Sequence, residues 1–369
     1  MSILIIGNGF DLQCNLKSRF KDYFELSEVE DKLTKLENWV IKSAFVIDSK
    51  IKEGYFSDIT IIDLLMMNDG YDNWFDVENK VKELVYGEKN NWFSRFNDII
   101  GSADKVFHDR VKELLIESAK KVEESKTKLM ALHLFSDDFY EYKTKSKIKT
   151  KKEANRFLYE QLMKFEFNFT KYLIKTLNEN SNYESAARGL INAIQYTPDC
   201  GFNGIFSFNY SRPNVLNDYA AINIHGTLES SKIIIGIDGS EKDYDTDSFY
   251  FTKSYRIMSN SDECKTNGFK LPDELERITF YGHSLNLQDY AYFQSIFDKY
   301  DIYNSEIHLN FCYSIYEKTR AEEITNEYYN RISALIDRYG KSFDNLSKGK
   351  NLFTKLLLEN RIKIIEITI

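Results

Sequence analysis

Residues 3–6, Ile3-Leu4-Ile5-Ile6, form an unbroken aliphatic run that ends in Gly7-Asn8-Gly9-Phe10-Asp11. A short apolar run with no polar alternation, bounded by glycine, is what a strand covered on both faces requires, and such strands belong to parallel sheets. Phe20, Tyr23 and Phe24 then recur at helical spacing. A strand that ends in G-x-G ahead of a helix sets backbone N–H groups and the positive end of a helix where a phosphate can sit. Glycine tolerates the positive φ of a sharp turn and lets a ligand approach the backbone. The dinucleotide fingerprint asks for a third glycine, and position 12 is Leu12. Taken alone, the motif fits a ligand-free strand-to-helix corner equally well.

Comparable apolar runs return only after Pro198, at 204–208, 221–224, 232–237, 277–281, 306–312 and 361–368. Helical stripes separate the last three, among them Ile324, Tyr328, Ile332, Leu335 and Ile336. Apolar strands alternating with helices predict an α/β fold with a mainly parallel, Rossmann-like sheet covered on both faces. From about 28 to 195 no strand series appears. Leu158, Leu162, Phe165, Phe169, Tyr172 and Leu173 line one helix there, and Ala186, Leu190, Ile191 and Ile194 the next. The expected organisation is a nucleotide-binding domain of residues 1–27 plus 196–369, with 28–195 as a large helical insertion or cap.

Composition excludes some function classes. With 43% hydrophobic and 15% aromatic residues the chain can bury a large core, so extended disorder is not expected. A net charge of −8 means that nucleic-acid binding would need a local basic patch. One such segment exists, Lys143-Thr-Lys145-Ser-Lys147-Ile-Lys149-Thr-Lys151-Lys152, which reads either as a solvated loop or as a polyanion patch. Cys14, Cys200, Cys264 and Cys312 form no C-x-x-C and are expected to be reduced, packed thiols. His108, His133, His225, His283 and His308 show no i, i+4 pair and no nearby cysteine, so no metal is expected. No apolar run approaches the roughly 18 residues of a membrane span. The opening residues show no basic region or cleavage site, and a cytoplasmic location is expected.

Three later segments set polar groups just after an apolar run: Phe208-Asn209-Tyr210-Ser211, Ile224-His225-Gly226-Thr227 and Tyr281-Gly282-His283-Ser284-Leu285-Asn286, the last followed by Asp289. In open parallel sheets, ligands bind beyond the carboxyl ends of the strands. Each residue also has a local explanation: Asn209 as a turn former, His225 as a satisfied buried imidazole, Ser284 or Asn286 as a helix cap. The coincidence of four strand ends favours a binding site.

These four segments resemble the AbiH family of bacterial abortive-infection proteins: Ile-Ile-Gly-Asn-Gly-Phe-Asp-Leu at 5–12, Phe-Asn-Tyr at 208–210, Ile-His-Gly at 224–226 and Gly-His-Ser-Leu-Asn-x-x-Asp at 282–289. Trp74-Phe75-Asp76-Val77-Glu78 is similar to that family's W-x-D-x-E element. More distantly, the series resembles sirtuin-like NAD-binding domains. The resemblance implies a role in phage defence and a nucleotide partner, NAD or an ADP-ribose-like molecule, with NAD as the substrate and no further cofactor required. If NAD is the substrate, His225 is the candidate general base because imidazole titrates near working pH, Asn209 would orient a ribose hydroxyl or water, and Asp11 would hold the carboxamide or the cationic sugar. Gly7, Asn8 and Gly9 would bind the pyrophosphate, Phe10 and Gly226 would also contact the nucleotide, and Gly282, His283, Ser284 and Asp289 would lie at the adenosine end. The chain departs from sirtuins in lacking paired C-x-x-C motifs, so their zinc module is absent, and in placing a carboxylate at Asp11.

Other readings remain at this stage. One is a sensor that binds a nucleotide without cutting it. Another is a metal-dependent nuclease built on Asp76-Val77-Glu78-Asn79-Lys80, although Val77, Val81 and Leu84 give that segment a helical pattern in which Glu78 and Lys80 do not face each other. Control is expected through oligomerisation or a cap over the cleft, with a second copy of the chain or a phage-derived activator as partner, and no membrane partner is expected.

Overall fold

The computed structural model describes residues 1–26, 31, 59–60, 62–63, 66, 75–86, 151–238, 248–259, 271–315 and 318–368. The chain divides into two compact units, one of residues 1–18, 173–234 and 257–369, the other of 19–172 and 235–256.

The first unit is a doubly wound α/β domain. Six strands, β1 (Ser2–Ile6), β2 (Gly204–Ser207), β3 (Ala220–Asn223), β4 (Arg277–Tyr281), β5 (His308–Tyr313) and β6 (Ile362–Glu366), lie in the order 3-2-1-4-5-6. Every pairing is parallel. All five residues of β1 are buried. The two-residue period of a strand sends Ile3 and Ile5 to one face and Leu4 and Ile6 to the other. The first pair packs with Ile278, Phe280, Leu309 and Phe311 under the helices Tyr290–Lys299 and Ala321–Lys341, through Phe293, Phe297, Ile332 and Ile336. The second pair packs with Ala187, Leu190, Ile191 and Ile194 of the helix Tyr183–Tyr196. The aliphatic run at 3–6 is therefore apolar throughout because no position of it meets water.

Register aligns the strand ends. Ile6 pairs with Ser207 and with Tyr281, and Ser207 pairs with Asn223. Residues that follow β1, β2, β3 and β4 consequently emerge side by side. The run at 232–237 is not a member of this sheet. Lys232–Ile233 pairs antiparallel with Gly226–Thr227 as a short ribbon, so this apolar stretch closes a turn instead of adding a strand.

In the second unit, the helix Lys151–Glu179 sets Phe165, Phe169 and Tyr172 against Phe20, Tyr23 and Phe24, with Phe20 and Phe169 centroids 4.5 Å apart. Residues 235–256 are fastened there by two buried ion pairs, Lys253 Nζ to Glu78 at 3.0 Å and Arg256 Nη2 to Glu166 at 2.6 Å. The D-x-E-x-K string lies on the helix Phe75–Tyr86, and its Glu78 is spent on Lys253. Trp74, Cys264 and residues 143–150 lie outside the described residues. Among the described residues no helix is long and apolar enough to cross a membrane, and no cluster of three metal-ligating side chains forms.

Candidate functional site

The glycine turn after β1 is built for backbone contact. The Gly7 amide donates to the Tyr281 carbonyl at 3.1 Å, Gly9 to the Gly282 carbonyl at 2.7 Å and Phe10 to the Gly7 carbonyl at 2.8 Å. A Cβ on Gly7 would stand 2.7 Å from the Cα of His283, and one on Gly9 2.7 Å from the Cα of Gly282. Gly282, at φ +66°, would drive a Cβ to 2.4 Å from the Phe10 nitrogen. Glycine is required because two turns interlock, and the amides of Gly7, Gly9 and Phe10 are already committed. Phe10 is fully buried and meets the edge of Tyr281, so its side chain belongs to the core. Asn8 remains half-buried and accepts from Ser18 Oγ at 2.5 Å.

Asp11, one turn into the helix Asn8–Gln13, is buried. Tyr183 Oη donates to its Oδ1 at 2.7 Å, Ser211 Oγ lies 2.8 and 2.7 Å from its two oxygens, and Tyr183 Oη and Ser211 Oγ are 2.9 Å apart. Tyr183 and Ser211 donate all of these contacts, sharing two hydroxyl protons among the carboxyl oxygens and each other. Burial pushes the Asp11 carboxyl up to about 6, against the opposing pull of Ser211 and Tyr183. Asn223, the last residue of β3, ties the same loop down: its Nδ2 donates to the carbonyls of Asn209 and Ser211, both at 2.9 Å, while its Oδ1 accepts from Arg212 at 2.9 Å.

His225 and His283 stand on either side of Asp289. His225 Nε2 is 3.6 Å from Asp289 Oδ1, and His283 Nε2 is 3.4 Å from Asp289 Oδ2. Both imidazoles are buried, whereas the Asp289 side chain keeps 13% exposure. Phe208 meets both rings, at centroid distances of 5.4 and 4.5 Å, and Tyr292 and Phe293 complete the apolar walls. His225 is set by Gly226, whose φ of +82° turns the chain back into the short ribbon; a Cβ there would lie 2.1 Å from the Lys232 carbonyl oxygen. His283 Nδ1 accepts the Leu285 amide at 3.0 Å, which places the proton of the neutral ring on Nε2. Nε2 therefore has no lone pair to give a metal, so this His–Asp–His trio does not form a metal site. Ser284 is half-buried on the same turn.

Asn209 lies on the segment after β2 that also carries Phe208, which meets the histidines, and Ser211, which meets Asp11. It is 4% exposed, and among the described residues neither Oδ1 nor Nδ2 of its side chain has a hydrogen-bond partner. It acts weakly on Asp11 without adopting hydrogen-bond geometry toward it. An unsatisfied buried amide costs about 1–3 kcal/mol and is rare in a settled core.

The structure thus brings Asp11, Asn209, His225, His283 and Asp289 to the carboxyl end of one sheet, beside the reversal of strand order between β1 and β4. Sequence reasoning missed Tyr183, Asn223 and Tyr292, and singled out the segment with Ser211 without giving that residue a role. Asn223 carried a legible signal as a polar residue inside an apolar strand; Tyr183, on a distant helix, carried none.

A six-stranded parallel sheet in this order, with its polar side chains at the carboxyl edge, defines an α/β protein of the Rossmann type, in which that edge takes ligands. The family model for bacteriophage abortive infection AbiH matches residues 3–311, which include all four strand-end segments, and the chain belongs to the AbiH family. Its role is accordingly in bacteriophage abortive infection. No curated protein and no solved structure gave a match, and the distant likeness to sirtuins gains no support from these comparisons.

Proposed function

We propose that this AbiH-family chain acts in phage defence by binding NAD at the carboxyl edge of its sheet and hydrolysing the nicotinamide–ribose bond. The observation that carries the proposal is the side chain of Asn209, buried with both polar atoms unsatisfied among the described residues, on the segment whose Phe208 meets His225 and whose Ser211 meets Asp11. An amide offering one donor group and one acceptor suits a ribose hydroxyl or a bound water.

Cleavage of this bond passes through an oxocarbenium-like sugar and needs an oriented nucleophile. His225 takes the proton from water or from a ribose hydroxyl, and Asn209 orients the same group. Arg212, held by Asn223 at 2.9 Å, supplies a cation for the pyrophosphate in place of the committed amides of Gly7 and Gly9. Asp11 faces Ser211 and Tyr183 with both oxygens and serves to hold the Asn209 loop.

The test incubates the purified full-length protein with NAD, with and without phage lysate, and follows nicotinamide release. Asn209→Ala and His225→Ala are each expected to lower release at least about 100-fold with the fold retained. Release at the wild-type rate from both variants rejects the assignment. A second reading, a sensor that binds NAD without turnover, is favoured by the engagement of Asp11, which leaves no carboxylate free at that position for a cationic sugar. Calorimetric binding of NAD that Asn209→Ala abolishes, with no nicotinamide formed under any condition, would establish it.

A further inference from the structure

The two histidines are chemically unequal. His283 has its tautomer fixed from behind, because the Leu285 amide occupies Nδ1 and leaves Nε2–H pointing at Asp289. In the turn that achieves this, Gly282 takes a φ of +66°, which glycine adopts freely, while Leu285, buried and non-glycine, is strained at φ +57°. A bulky side chain in the left-handed region costs of order 1–3 kcal/mol and persists only where its surroundings hold it. Here the strained residue is the one whose N–H locks His283.

Asp289 meets the two imidazoles with different oxygens, Oδ2 toward His283 and Oδ1 toward His225. Its neighbours at this point are rings, since Phe208 stands edge-on to both imidazoles, Tyr292 lies 5.6 Å from His225 and Phe293 5.0 Å from His283. Apolar walls lower the local dielectric and strengthen the pull of a carboxylate on an imidazolium. The groups set against His225 among the described residues include the Asp289 carboxylate, the Tyr292 phenol and the Phe208 ring, and Asp289 alone of these bears a formal charge near neutral pH.

We infer that Asp289 is the positioning residue for His225, raising its proton affinity, and that His283 acts only as the fixed donor that anchors Asp289. This rests on the reading of His225 as the site's base, and it moves Asp289 and His283 from contact with the adenosine end into the arrangement behind His225. The proton that His225 takes from the nucleophile is then stabilised by Asp289, while His283 keeps its Nε2 proton throughout.

The experiment is imidazole NMR on the full-length protein with labelled histidine, and it needs no NAD. Asp289→Asn should lower the pH at which His225 takes up its proton by about one unit or more, since a facing carboxylate at this range has an effect of about that size. His283→Gln, which keeps an N–H donor, should leave the His225 midpoint in place, and His283→Phe, which suits the Phe208–Phe293 walls but donates nothing, should lower it. The nitrogen shifts of His283 should show a proton on Nε2 at high pH. An unmoved His225 midpoint in Asp289→Asn, or a His283 proton on Nδ1, overturns the inference. Nicotinamide release then separates the two claims. If the wild type turns NAD over, Asp289→Asn should lose about 100-fold in kcat with its pH profile displaced to lower pH; an unchanged kcat also overturns it. If nothing turns NAD over while the NMR shifts hold, the hydrolase reading fails and the positioning of His225 by Asp289 stands.

Discussion

Two carboxylates stand at the same sheet edge and are treated differently. Asp11 is enclosed by Ser211 and Tyr183 at 2.7–2.9 Å, in a ring whose two hydroxyls donate to both carboxyl oxygens and to each other. Asp289 keeps part of its surface and meets its two imidazoles at 3.4 and 3.6 Å, beyond the length of a strong charge-assisted hydrogen bond. The first arrangement is closed and fixes a loop. The second is open, with room for geometry to tighten around a bound molecule, as catalytic contacts do. Asn209 lies on the segment that joins them and belongs to neither, and the mismatch between a finished network and an unfinished one locates the site more sharply than any single motif.

The largest effect should come from titrating the closed cluster. The Asp11 pKa rises from 3.8 to about 6 on folding, so the folded state binds this proton more tightly than the unfolded one. Its stabilisation is fully present below pH 3.8 and is lost as pH rises through about 6. Such a shift corresponds to about 3 kcal/mol. Asp11→Asn, measured by denaturant unfolding from pH 4 to 8, should flatten the wild-type decline by that amount. Asp63 of the second unit is also raised to about 6, so Asp63→Asn is the control that removes the overlapping contribution. Parallel curves for wild type and Asp11→Asn would show that Asp11 is not a buried acid. Tyr183→Phe should have a smaller effect, about 1–2 kcal/mol of lost stability, because it opens the ring but leaves Ser211 on the carboxyl group. Thermal unfolding that does not change in Tyr183→Phe would mean that the ring contributes nothing.

The same contrast explains what the sequence could show. Ile3 to Ile6 announced a doubly covered strand because every position faces a core, and the parallel sheet followed from repetition of that pattern. His225, His283 and Asp289 were legible because strand ends can be counted from apolar runs. Their partnership was not, since Asp289 reaches His225 only through the left-handed turn at Gly282 and Leu285, a backbone path that residue types do not encode. Gly7 and Gly9 were legible as a tight turn, but the close neighbour is the Gly282–His283 backbone, nearly three hundred residues away in the chain. Tyr183 lies in an apolar helical stripe where an aromatic side chain reads as core; only the fold shows its hydroxyl closing on Asp11. The run at 232–237 looked like a strand by composition and is half ribbon, half passage into the second unit, where Glu78 and Glu166 hold it through Lys253 and Arg256.

The smallest expected stability effect carries the most information about the open side. Removing a satisfied polar group from a core destabilises, as predicted for Tyr183. Removing the Asn209 side chain should not, because its amide group makes no hydrogen bond among the described residues. Asn209→Ala deletes a desolvated, unpaired amide but also leaves a small cavity, and the two effects oppose each other at about 1 kcal/mol each. The melting temperature should therefore stay within a few degrees of wild type or rise slightly. A residue whose loss leaves stability intact while it abolishes nicotinamide release or NAD binding is one retained for a ligand. A fall in stability comparable to that of Tyr183→Phe would instead place Asn209 inside the closed network, and the distinction between the two clusters would dissolve.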